Sequence, residues 1–217
     1  MYVSEHTHTL RTYQWVIEGV GLSPSKKEQS ATTTRTLLAV SVEMFADRGY
    51  GAVGLDDVAQ RSGLTRGAVY HHFGSKAGLF DAVVDQVQRE VADRVSHAAA
   101  GAENLWDALV EGCHEFVRAG SDPRVHRIML IDAPAVLGWQ RWRELDAANS
   151  GRLLKEVLDE LQAEGTIARG LAAPAAHLLS GAMNETVLWV AQSETPDPDR
   201  DSALATLDRL LGSLRQR

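Results

Sequence analysis

The chain is predicted to be all-α. From about residue 33 its apolar residues recur at three- and four-residue spacing, capping residues punctuate the periodic stretches, and no convincing strand or hairpin signal interrupts them. About nine helices fit this pattern. The 217 residues are 44% hydrophobic and 24% charged, the balance of a globular chain with a core.

The first helix places Leu37, Leu38, Ser41, Met44 and Phe45 on one face, and Gly49 supplies its stop. A short second helix fits Leu55 to Arg61, with Leu55, Val58 and Ala59 inward. Ser62-Gly63-Leu64 turns the chain, Thr65 caps a third helix to about Phe73, and Ser75 after Gly74 caps the next. That fourth helix is long, because Leu79, Val83, Val87, Val91 and Val95 repeat every four residues beside Phe80 and Val84. Later helices are expected over Asn104–Ala119, Pro123–Ile131, Trp139–Glu164, Pro174–Gln192 and Ser202–Leu214. Asp122 before Pro123 reads as a cap with proline in the first turn. The stretch from Glu194 to Asp199 reads as a break before the last helix.

Three regions follow: an extension over 1–30, expected to be flexible; a helical head over 31–77; and a larger helical body over 78–217. Net charge is −7, but it is unevenly spread. Residues 1–80 carry 8 Lys and Arg against 7 Asp and Glu, whereas residues 81–217 carry 14 against 22. Such a split fits one job near a polyanion and another away from it. No apolar run is long enough to cross a bilayer, and the N-terminus lacks a secretory pattern. A cytoplasmic location is expected. The single cysteine, Cys113, excludes an internal disulfide and reads as a buried small hydrophobe rather than a redox switch.

The strongest motif spans residues 54–73. Ala59 is small where two helices must cross, Gly63 four residues on suits a turn needing positive φ, and Val69 six further points an apolar chain back onto the first helix. Small, glycine, apolar at that spacing is the logic of a helix-turn-helix. Around it stand Leu37-Leu38, Met44-Phe45, Gly49-Tyr50, Val58-Ala59, Gly63-Leu64-Thr65, Gly67, Tyr70, His72-Phe73, Lys76 and Leu79. With these elements the stretch from Leu37 to Leu79 closely resembles the DNA-binding domain of the tetracycline-repressor (TetR) family. Two departures stand out: Ser41 replaces the family's usual alanine, and Gly54 replaces its usual Ser or Thr cap, losing a hydroxyl that would reach a phosphate.

The resemblance implies roles for individual residues. Thr65, Arg66 and Gly67 open the recognition helix that enters the major groove. Arg66 is the expected base reader, able to grip guanine O6 and N7, and Gly67 lets the backbone come close. Tyr70, His71 and His72 are expected near phosphates or the groove edge, and Lys76 with the amides after Ser75 on a phosphate. Lys26, Lys27 and Arg35 read as a solvated linker in preference to a minor-groove arm.

The acidic body is implied to sense and to dimerise. Its last two helices would pair with a second copy, through Leu179, Ala182, Met183, Thr186 and Val190 on one and Leu207, Leu210, Leu211 and Leu214 on the other; each stripe equally suits an internal core. An effector pocket is implied among helices four to eight. Trp106, His114, Phe116, Met129, Trp139, Trp142, Met183 and Trp189 are the large or polarisable side chains there, suited to a planar or apolar small molecule. The expected function is a ligand-responsive repressor acting as a homodimer on pseudopalindromic double-stranded operator DNA, with no cofactor, metal or membrane.

Rival classes are weaker. Glu111 and His114 have the Glu-x-x-His spacing of a di-iron bundle, but no second such motif follows. His6 and His8 resemble a metal pair in the N-terminal extension. No nucleophile elbow or phosphate loop is present, so the chain is not expected to be an enzyme. An effector-independent architectural DNA binder would need a more basic surface.

Overall fold

The computed structural model describes residues 25–216. Among them the helices are α1 (Lys26–Ala52), α2 (Leu55–Ser62), α3 (Arg66–Phe73), α4 (Lys76–Ala100), α5 (Leu105–Gly120), α6 (Pro123–His126), a π-helical segment (Arg127–Asp132), α7 (Ala133–Leu137), α8 (Trp139–Ala148), α9 (Ser150–Ala163), α10 (Ala172–Ala191) and α11 (Pro196–Leu214). The described residues hold no strand beyond a single bridge between Ile167 and Arg215. Residues up to Thr36 group apart from the unit that begins at Leu37.

Helix begins earlier than the periodicity indicates. Ser25 Oγ accepts the N–H of Glu28, and the Glu28 carboxylate accepts the N–H of Ser25 at 2.6 Å. This reciprocal capping box starts a helix without an apolar face, so residues 26–30 are not an irregular linker. The same bonds lower the Glu28 pKa from its usual range. The remainder of the expected extension, with His6 and His8, lies outside the described residues.

From Leu37 onward one core runs through head and body. Leu37, Met44, Phe45, Val58 and Val69 are buried in the head and continue into Leu79, Phe80, Val83 and Val84 of α4. Phe45 meets Phe80 edge-on with ring centroids 5.0 Å apart, and Tyr50 completes the cluster at 5.0 Å from Phe80. Such a ring pair adds about 0.5–1.5 kcal/mol beyond area burial. The α4 repeat of Leu79, Val83, Val87, Val91 and Val95 is buried along its whole length.

Three expected elements change on folding. The helix expected over Trp139–Glu164 is two, broken at Asn149 (φ −117°, ψ −113°), whose amide donates to the Leu145 carbonyl at 2.8 Å. Gly151 permits the break, because a Cβ there would lie 2.9 Å from the Asp146 carbonyl oxygen. The helix expected over Pro123–Ile131 passes into a π-helical turn after His126. The last helix starts at Pro196 inside the expected break, since proline suits the first helical turn.

Candidate functional site

In the head, two short helices are set by their caps. Gly63 ends α2 in the left-handed region (φ 68°) and donates its N–H back into the helix. Thr65 Oγ1 accepts from Ala68 N–H at 3.2 Å and starts α3. Gly54 opens α2 without a hydroxyl to accept a first-turn N–H; Asp57 makes only the reciprocal contact, accepting the Gly54 N–H at 3.1 Å. Ser75 then caps α4 through Gly78 N–H at 3.0 Å. Glycine is needed at 78, because a Cβ would sit 2.2 Å from the Phe73 carbonyl oxygen.

This arrangement buries Val69 and Ala59 in one core and leaves Thr65, Arg66, Gly67, Tyr70 and His71 exposed. The Arg66 guanidinium is held on two sides. One Nη bonds the Asp56 carboxylate at 2.8 Å, the other the Tyr70 hydroxyl at 3.3 Å. Both contacts raise the Arg66 pKa, Tyr70 first. Among the described residues nothing bonds Nε or the remaining Nη hydrogens, which leaves them able to reach outward. His72 is half-buried, its ring 5.5 Å from that of His71. Lys76 Nζ lies 4.2 Å above the Tyr50 ring centroid and 3.5 Å from the Gly51 carbonyl oxygen.

The body contains a cavity of about 220 Å³ between α4, α5, α9 and α10. Leu109, Cys113, Phe116, Leu154 and Met183 supply apolar wall, and Ser150 and Glu160 polar wall. Burial pushes the Cys113 thiol up to about 12, with Asp208 adding to the shift. A separate apolar face lies outside: Leu178 is 75% exposed on α10 and Leu210 53% on α11, with Trp189 at 50% and Ala182 also exposed.

Residues 37–83 match the bacterial regulatory proteins, tetR family, and residues 106–214 match the tetracyclin repressor-like C-terminal domain. A crystal structure of a TetR-family transcriptional regulator from Pectobacterium atrosepticum is similar, with TM-score 0.73 and 32% identity over 87% of this chain and 97% of that one. This chain belongs to the TetR family. It is also 36% identical over 91 residues to the HTH-type transcriptional activator FasR of Mycolicibacterium smegmatis, covering 39% of this chain and 40% of FasR. It is 36% identical over 72 residues to the repressor KstR2 of the same organism, covering 33% of each. These matches span less than half the length of either relative.

Against that TetR-family frame, the expected DNA-facing residues cluster on one end of the head, while the expected effector residues scatter. Phe116 and Met183 line the cavity. Trp142 is buried but structural, its indole N–H donating to the Met129 carbonyl at 2.8 Å. Trp139 is 68% exposed, Trp189 faces outward, and Trp106 stacks under Arg215 at 5.3 Å. His114 bonds Asp208 at 2.6 Å, joining α5 to α11. Trp139 and Trp142 pack on each other with ring centroids 4.8 Å apart, beside the Arg143 guanidinium, but neither lines the cavity, so the tryptophans do not form its wall.

The expected dimer stripes also divide. Leu179, Met183, Val190, Leu207 and Leu211 are buried within the chain, Thr186 and Leu214 are half-buried, and only Ala182 and Leu210 face solvent. Periodicity finds the apolar face of a helix, but α10 carries two, and the outer one includes Leu178. Sequence reasoning also missed Asp56, the partner of Arg66, and Asp132, which bonds Tyr50; neither has a local signature. Among the described residues no helix is long and apolar enough to cross a membrane.

Proposed function

We propose that this TetR-family chain is a sequence-specific transcriptional regulator that acts as a homodimer on a two-fold operator and loses DNA affinity when a small ligand fills the body cavity. The observation that carries this reading is the exposed start of α3, where Arg66 stands pre-oriented beside Gly67. Arg66 reads a guanine edge, Gly67 admits the backbone, and Tyr70, His71, His72 and Lys76 engage the flanking backbone. The outer face of Leu178, Ala182, Trp189 and Leu210 meets its copy. This sets two recognition helices about 34–36 Å apart, one helical turn of DNA.

Coupling runs along α4. Its first turn follows the recognition helix, and its far end supplies Val95, Ser96 and Ala99 to the cavity. At 1.5 Å per residue this lever is roughly 37 Å long. A ligand that binds one position of α4 better than another changes the separation of the heads, lowering DNA affinity by that difference. The role is regulatory, with no catalytic step.

Fluorescence-anisotropy titration of the full chain with DNA from upstream of its own gene tests this reading. Tight, saturable binding at one dimer per site, resisting scrambled competitor, is expected. Equal affinity for scrambled DNA at every salt concentration would overturn it.

A further inference from the structure

The cavity carries chemical information beyond its position, and the inference below rests on the reading of it as the effector site. Its volume of about 220 Å³ lies below the roughly 300–1,000 Å³ of sites for drug-sized ligands. A small occupant suits that space. The inner wall is apolar, from Leu109 to Met183, and gives such an occupant no charged partner.

Polar groups sit at two places. Ser150 is 9% exposed and lines the cavity, and its hydroxyl makes no hydrogen bond among the described residues. The backbone break at Asn149 puts it there, opening α9 against the cavity rather than continuing α8. At the rim, Glu156 and Glu160 stand one turn apart on α9. Glu156 is occupied by Arg152, at 2.8 Å. Glu160 has no ion-pair partner among the described residues and no basic residue lines the cavity, so the rim keeps a free negative charge.

We infer that the effector is a small, mainly apolar cation: an alkyl or aryl ammonium whose body fills the space beside Cys113 and Leu109 and whose charged end lies against Glu160, at the opposite end of α9 from Ser150. An alcohol of the same shape keeps the apolar burial without the charge. A carboxylate of that shape meets Glu160 as a like charge and is rejected.

The experiment is calorimetric titration of the full chain with n-octylammonium, 1-octanol and octanoate. It is paired with the rate at which Cys113, the single cysteine, reacts with N-ethylmaleimide. The ammonium is expected to bind about tenfold or more tighter than the carboxylate, with the alcohol between, and each bound ligand to slow Cys113 labelling. Because Glu160 is exposed, Glu160→Gln and Glu160→Lys keep the fold. The first should shrink the ammonium preference at least threefold, the second reverse it, and neither should alter octanol binding. If the three ligands bind equally while protecting Cys113, or if Glu160→Lys leaves the ratio unchanged, the charge assignment fails and the cavity reading stands. If none of the three binds, or binding leaves Cys113 labelling unaffected, both fall.

Discussion

The carboxylate of Asp132, at the end of the π-helical segment, accepts the backbone N–H of Tyr50 at 2.9 Å across 82 positions of sequence. Two local features make the bond possible. Gly49 takes φ 77°, which ends the regular course of α1 and frees the next N–H. The wider π turn re-aims Asp132 relative to an α-helical continuation. Arg127 packs over Gly49 so closely that a Cβ there would lie 2.6 Å from its Nη2. Asp132→Ala is therefore expected to cost about 1.5–3 kcal/mol, as for a hydrogen bond to a charged group. Asp132→Asn, which can still accept, should retain most of that. Urea midpoints that match wild type in the alanine variant would refute the latch.

Arg66 and Asp56 separate affinity from discrimination. Arg66→Ala should weaken operator binding and relax preference at one base pair per half-site, by about 1–3 kcal/mol. Asp56→Asn removes a negative charge near DNA while loosening the guanidinium. Non-specific affinity should rise as the ratio of operator to scrambled binding falls. An unchanged ratio in Asp56→Asn means Arg66 orients itself without help.

Lys76 is expected to touch a phosphate. Each phosphate neutralised contributes about 0.9 to the slope of log affinity against log salt. Lys76→Ala in a dimer should flatten that slope by roughly twice this amount, and lower affinity alike for all sequences. A slope equal to wild type removes Lys76 from the interface.

Leu178 is 75% exposed on the outer face of α10, so a charge there costs the isolated chain little. In a dimer closed through that face it is buried. Leu178→Glu should sediment as a monomer at micromolar concentration with unchanged helical content, and bind operator far more weakly. A variant that remains dimeric moves the interface elsewhere.

Ser41 is fully buried on α1, and its hydroxyl has no hydrogen-bond partner among the described residues. A buried, unsatisfied polar atom is destabilising, so Ser41→Ala should raise the unfolding free energy by about 1 kcal/mol. A lower urea midpoint in this variant would show that the hydroxyl is satisfied in solution.

The head was legible in the sequence because its determinants are local. Gly63 and Gly74 need positive φ, Thr65 and Ser75 need a hydroxyl one turn before a free N–H, and Val69 faces Ala59 through fixed helical geometry. Each requirement is met within a few residues, so spacing alone marks α2, α3 and the start of α4. The Ser25–Glu28 box is equally local, but the turn it starts has no apolar periodicity to distinguish it from an irregular linker.

The body was legible as helices and little more. Periodicity marked Leu179, Met183, Leu207 and Leu211 as one-sided, but whether a side faces its own chain or another depends on which helices crowd around it. Trp106, Trp139, Trp142 and Trp189 share a residue type and a region of sequence, yet Trp142 anchors a carbonyl and packs on Trp139, Trp106 meets Arg215, and Trp189 faces solvent. The break at Asn149, the cavity it opens to Ser150, and the reach of Asp132 to Tyr50 all arise from packing between distant segments. What the sequence by itself determined is the DNA-reading end, whose geometry is set by backbone and caps over short range. What only the tertiary structure decided is where the body is hollow and which apolar face stays uncovered, because both depend on volumes filled by residues far apart in the chain.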